Sequence, residues 1–181
     1  HGEALLGAYQ YANDAFGQFI KNVKSSTLAD KTVIAGTGDH RMRYLDSKEM
    51  TEFAISYAVP FYLYVPDEIL QRVPFNYDDQ RIGSHKDIFP TLYHFSLADA
   101  SYISLGGENM LSPKPIKNFA FNSHRSATQS GSYSVRQPKK LYPWAEDGLH
   151  NLEQSIENPN PEQGMDYRKL QDYYLRSQVV K

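Results

Sequence analysis

The chain has 181 residues, a formal net charge of −2 and no cysteine. That length supports one domain, or one and a half, with room for a real core. The charge provides no basic footprint for nucleic acid and no cationic face for anionic lipid, and the missing thiols exclude disulfides, thiolate catalysis and thiolate metal sites. A small-molecule, glycan or lipid-head-group partner is therefore preferred to a polyanion. No run of about 18 apolar residues spans a membrane, and no signal-peptide pattern opens the chain. His1-Gly2-Glu3 runs straight into a helical pattern, as expected of a fragment of a longer protein.

Leu5, Tyr9, Ala12, Phe16, Phe19 (with Ile20) and Val23 recur at helical spacing and predict one buried face of a helix over residues 4 to 24. Ser25, Ser26 and Thr27 end it. Thr32 to Thr37 is short, apolar and β-branched, the pattern of a buried strand, and helix followed by buried strand is the rhythm of an α/β sheet. Ser47 is placed to cap a short helix through Phe53. Ala58 to Pro66 predicts a second strand with a proline at each end, and residues 67 to 83 a surface connection. Asp87 is a candidate N-cap, with Pro90 in the first turn and Ile88, Leu92 and Phe95 (with Thr91) on the apolar face of a short helix.

From about residue 106 the character changes. Gly106-Gly107 and Pro113-Lys114-Pro115 punctuate the chain, and Ile116 to Asn122 and Ser132 to Arg136 read as strands. Ser123 to Gly131 reads as a polar turn, Leu141 to Trp144 as a third short piece, and Asn158 to Gly164 as a loop. Tyr167 to Val179 predicts a last amphipathic helix with Leu170, Tyr174 and Val179 on its apolar side.

The first predicted strand ends in Thr37-Gly38-Asp39-His40. Neighbouring strand residues point to opposite faces, so Asp39 and His40 reach one ion only if the strand stops there, and Gly38 gives the backbone that freedom. A carboxylate oxygen plus an imidazole nitrogen suits Zn²⁺ or Mn²⁺ better than an all-oxygen calcium cage. The plainer alternative makes Asp39 a turn cap and His40 an edge residue. His85 and Asp87, before a helix start, form a second candidate pair, against which Asp87 is only a cap and His85 a solvated loop residue. Arg41, Arg43 and Lys86 are candidates to hold a phosphate or sulfate oxygen, although basic loop residues are commonly just solvated. Tyr62, Tyr142 and Trp144 offer faces for sugar or simply pack. His94 reads as structural, and His124 and His150 have no nameable partner. No nucleophile elbow, P-loop or H-E-x-x-H zinc motif occurs, and nothing marks a catalytic nucleophile.

Three blocks together resemble the C-terminal part of the sulfatase-like branch of the alkaline phosphatase superfamily. They are Tyr11 to Ile20 leading through Leu28 to Thr32 into Thr37-Gly38-Asp39-His40; Val59 to Tyr64; and Ser84-His85-Lys86-Asp87-Ile88-Phe89-Pro90-Thr91-Leu92, similar to the family's Asp-aliphatic-x-Pro-Thr-Leu helix. The likeness is strongest to lipoteichoic acid synthase-type phosphoglycerol transferases. It covers residues 5 to 112 and continues less specifically through Asn118 to Asn122.

The resemblance implies an α/β fold: a partial alkaline phosphatase-like sandwich, its C-terminal half, over residues 1–105, with a small, mostly antiparallel C-terminal subdomain over 106–181. It implies a divalent metal (Mn, Zn, Mg or Ca) with Asp39 and His40 as two ligands, while an acidic ligand and a Thr nucleophile come from upstream of this chain. Arg41, where many relatives have a small or amide residue, Arg43 and His85 are the candidate substrate contacts. The expected parent is a metal-dependent phosphoryl- or sulfuryl-ester transferase or hydrolase acting on a cell-envelope component, outside the inner membrane of a bacterium. The chain's partners would be the rest of its own domain, a phosphate- or sulfate-ester lipid or glycan, and possible further copies of itself. The alternative is a degenerate, non-catalytic module that binds glycan or a protein through its aromatic C-terminal layer.

Overall fold

Helix α1 spans Gly2–Lys24 in the computed structural model, which describes residues 2–41, 50–52 and 54–179. Arg43 and the predicted Ser47 cap lie outside the described residues. The helix stops where expected. The Ser25 N–H and hydroxyl both donate to the Lys21 carbonyl, and the Ser26 hydroxyl donates to Val23, so local side-chain bonds replace the next helical turn. The predicted buried face is only partly covered: Leu5, Phe16, Ile20 and Val23 are half-buried, whereas Tyr9, Ala12 and Phe19 are exposed.

Strand β1, Ile34–Thr37, pairs antiparallel with β2, Phe61–Tyr64, with Ile34 opposite Tyr64 and Thr37 opposite Phe61. Among the described residues this sheet has two strands. The Phe16 ring occupies the space where a Cβ on Gly36 would lie. A glycine within β1 thus lets α1 approach the sheet closely. Ile34 is the buried apolar residue of this pair.

Within the expected surface connection, Asp67–Leu70 forms the short helix α2. Its later part is fastened: the Arg81 guanidinium donates to the Met110 and Ser112 carbonyls, both at 2.6 Å. A 3₁₀ turn at His85–Asp87 then leads into α3, Ile88–Ser96. Pro90, Thr91 and Phe95 are its buried residues. The buried Thr91 hydroxyl donates to the Asp87 carbonyl at 2.7 Å and accepts the Met110 N–H at 2.9 Å.

The C-terminal layer is a five-stranded antiparallel meander: β3 (Phe119–Phe121), β4 (Arg125–Thr128), β5 (Gly131–Ser134), β6 (Lys140–Pro143) and β7 (Ile156–Glu157), in that order. Within Ser123 to Gly131, expected as a turn, Arg125–Thr128 is strand β4. Its residues Arg-Ser-Ala-Thr carry no apolar alternation because its inward position is a serine, Ser126, 1% exposed. Phe119, Tyr133, Val135 and Leu141 form the buried apolar core of this layer. Gly131 has φ +150° and lies against the Tyr142 carbonyl, so a side chain there is excluded twice over.

Helix α4, Gln163–Val179, docks through buried Gly164 and half-buried Tyr167, Gln171 and Tyr174. The Tyr167 ring meets Phe121 at 5.1 Å and Phe119 at 5.8 Å, both edge-on. Burial, then the negative charge of Asp87, raises its phenol above the ordinary range. The expected apolar positions Leu170 and Val179 are exposed, because the contact stripe begins at Gly164 and follows its own helical phase. Among the described residues no helix is long and apolar enough to cross a membrane. The architecture is an α/β portion followed by an antiparallel layer, the partial α/β fold that the sequence implied.

Candidate functional site

The β1 strand ends at Thr37, and the next three residues turn away from the sheet. That turn lets adjacent side chains converge. Asp39 Oδ2 and His40 Nε2 lie 3.6 Å apart. Two donors each about 2.1 Å from a tetrahedral ion are separated by roughly 3.4 Å. The pair therefore has the bite of a bidentate site.

The protonation of His40 is directed by the backbone. Its Nδ1 lies 2.7 Å from the Arg41 carbonyl, and a carbonyl only accepts, so Nδ1 carries the proton. In the neutral ring Nε2 then presents a lone pair toward the Asp39 carboxylate. Two acceptors facing each other call for a cation between them, whether a proton on the ring or a metal ion. An imidazole that donates its remote N–H to a carbonyl while its other nitrogen faces the site is the usual support of a metal-ligating histidine. A divalent ion fits this pair. Asp39 is 88% exposed and His40 49%, so their mutual attraction alone contributes little to stability. Among the described residues no third Asp, Glu, His or Cys joins them.

His85 arrives at the same turn from 47 positions further along the chain: its Nε2 lies 2.8 Å from the Gly38 carbonyl. Arg41 is there too, its guanidinium 4.6 Å from the Tyr57 ring centroid. Arg125 stacks on that ring at 5.2 Å, and His124 meets it at 6.1 Å. Asp39, His40, Arg41, His85, His124 and Arg125 all line one open cleft of about 1340 Å³ between the α/β portion and the antiparallel layer. Tyr57 and Arg125 escaped sequence reading, and His124, left there without a partner, meets the Tyr57 ring. The signal was slight, since His124-Arg125 enters a strand whose buried position is a serine.

Two other expectations are corrected. Asp87 is not an open ligand: it is 1% exposed, accepts the Ser84 N–H at 2.8 Å and the Glu108 N–H at 2.9 Å, and pairs with the Lys86 ammonium at 2.6 Å. Lys86 is consequently not presented to an oxyanion, its side chain being only 6% exposed. Asp87 stands at the N-cap of α3 but makes no side-chain bond to that helix; its carboxylate instead organises the preceding turn.

The remaining singled-out side chains have local roles. The Trp144 indole donates to the Thr128 carbonyl at 2.8 Å, while Tyr62 is exposed on β2. His94, read as structural, bonds the Pro74 carbonyl. His150 donates from Nδ1 to Asp147 at 2.6 Å. The backbone N–H groups of His150 and Leu149, then the His150 ring, hold the Asp147 carboxyl down at about 2.

A family model described as Sulfatase matches residues 3–96, just over half of the chain. That span contains α1, β1, the Asp39-His40 turn, β2 and α3. No curated protein matches the chain, and neither does any solved structure.

Proposed function

The chain belongs to the sulfatase family, and from that premise we propose that Asp39 and His40 are two ligands of a divalent-metal centre in a phosphoryl- or sulfuryl-ester transferase or hydrolase. The observation that carries this reading is the 3.6 Å approach of Asp39 Oδ2 to His40 Nε2, with the opposite ring nitrogen held by the Arg41 carbonyl. A bound divalent ion supplies charge stabilisation at an ester oxygen and helps ionise a nucleophile.

The chain's own residues bind and orient. Asp39 supplies a carboxylate oxygen, and His40 supplies Nε2 in the tautomer that its backbone contact selects. Arg41, which lines the cleft, and Arg43 offer guanidinium donors to a phosphate or sulfate oxygen. The nucleophile and the remaining ligand are proposed to come from outside this chain. Two findings support that division: the pair gathers no third ligand among the described residues, and Leu6, Tyr9, Tyr11 and Phe19 of α1 are large apolar side chains left exposed. Phosphoglycerol-transferase-like chemistry on an extracytoplasmic envelope component is the finer form of the proposal. It rests on the three sequence blocks.

Incubating the purified chain with an aryl phosphate or an aryl sulfate and Mn²⁺ tests the division of labour. The expected result is no turnover. Turnover that disappears on Asp39→Asn would place a nucleophile within these residues and overturn it.

A further inference from the structure

We infer that His85 is a positioning residue for the Asp39-His40 pair, acting through the Gly38 carbonyl. This rests on the reading of Asp39 and His40 as metal ligands and extends it to a residue that family membership does not assign.

The argument runs from the buried anchor outward. Asp87 accepts the Ser84 N–H and the Glu108 N–H and pairs with Lys86. Those three contacts hold the turn that carries His85. From that turn the His85 ring reaches the Gly38 carbonyl at 2.8 Å. Because the carbonyl only accepts, Nε2 is the donor. The Thr37 hydroxyl donates to the same oxygen at 3.2 Å, so both lone pairs of the Gly38 carbonyl are engaged.

The consequence falls on the next peptide. The Gly38 carbonyl belongs to the peptide unit whose nitrogen is that of Asp39, and peptide units are planar. Holding the oxygen therefore holds the plane from which the Asp39 side chain departs. Without that restraint, Gly38 has wide backbone freedom. A two-residue chelate depends on the relative directions of its side chains, so freedom at Gly38 is freedom in the donor separation. His85 is exposed and contributes little to packing, which sets it apart from the buried Asp87 on its own turn and the buried Thr91 on α3. Its defining contact is this hydrogen bond across 47 positions of sequence.

The chemistry of the bond selects the test. A glutamine amide carries an N–H at about the reach of Nε2, whereas an asparagine amide falls short and alanine has no donor. Wild type, His85→Ala, His85→Asn and His85→Gln are compared by two readouts. One is amide hydrogen exchange at Asp39 and His40 without metal; the other is Mn²⁺ affinity measured by electron paramagnetic resonance. The expected result is faster exchange and about tenfold weaker Mn²⁺ binding in the alanine and asparagine variants, with both largely restored by glutamine. Should His85→Ala fail to fold, the asparagine–glutamine comparison carries the same contrast. Unchanged exchange and affinity in a folded His85→Ala or His85→Asn chain would overturn the inference. If exchange responds as expected while wild type takes up no Mn²⁺, the positioning role stands and the metal reading falls.

Discussion

At the scale of single residues, burial separates groups that hold the fold from groups that face the cleft. Asp87 and Lys86 are both acid–base side chains in the block that resembles the family helix, yet each is almost fully enclosed. Removing one partner of such a pair leaves the other charge buried without compensation, which costs about 3–5 kcal/mol. Asp87→Ala also strands the Ser84 and Glu108 N–H groups. The variant is expected to lose stability of that order, read as a lower urea midpoint, with Asp39→Asn unchanged within about 0.5 kcal/mol because Asp39 is exposed. The Asp39-His40 pair was legible in the sequence, since strand, Thr-Gly and two ligand types lie in a row. The direction of the His40 ring and the arrival of His85 were not legible. One depends on a backbone carbonyl and the other on a contact between residues 47 apart.

At the scale of elements, apolar periodicity identified what it reports on. Helix α1, strands β1 and β2 and helix α3 each carry a run of apolar residues and lie where expected. Strand β4 was missed because its buried residue is Ser126 and its flanking positions are polar or small. The same compactness governs the docking of α4. A Cβ on Gly164 would lie 2.5 Å from Ser126 Oγ but 3.6 Å from Ser126 Cβ. Alanine gains up to about 1 kcal/mol over glycine in a helix interior, and overpacking a tight contact costs about 1–3 kcal/mol. The clash should win, so Gly164→Ala is expected to destabilise by about 1 kcal/mol. The sign of the Gly164→Ala effect should reverse, or the effect vanish, in a Ser126→Ala background, because the Ser126 hydroxyl has no hydrogen-bond partner among the described residues and its removal opens the space. A double-mutant cycle of thermal unfolding reads that coupling directly.

At the scale of the whole molecule, the distribution of burial accompanies the proposed chemistry. The antiparallel layer has a core of its own in Phe119, Tyr133, Val135 and Leu141, whereas the α/β portion buries Ile34 and Phe95 and leaves much of α1 open. Exposed apolar surface on this scale commonly marks an interface, in keeping with a site completed from outside the chain or by self-association. The cleft explains why part of the candidate site was unreadable: His124 and Arg125 come from the antiparallel layer, and only the folded chain brings them into one cleft with Asp39. The central claim is that Asp39 and His40 together ligate a divalent ion. Mn²⁺ titration followed by paramagnetic broadening of amide resonances tests it even where binding is weak. The account predicts broadening centred on residues 37–41 and 85, lost in the Asp39→Asn, His40→Ala double variant. Broadening centred elsewhere, or unchanged in that variant, would contradict it.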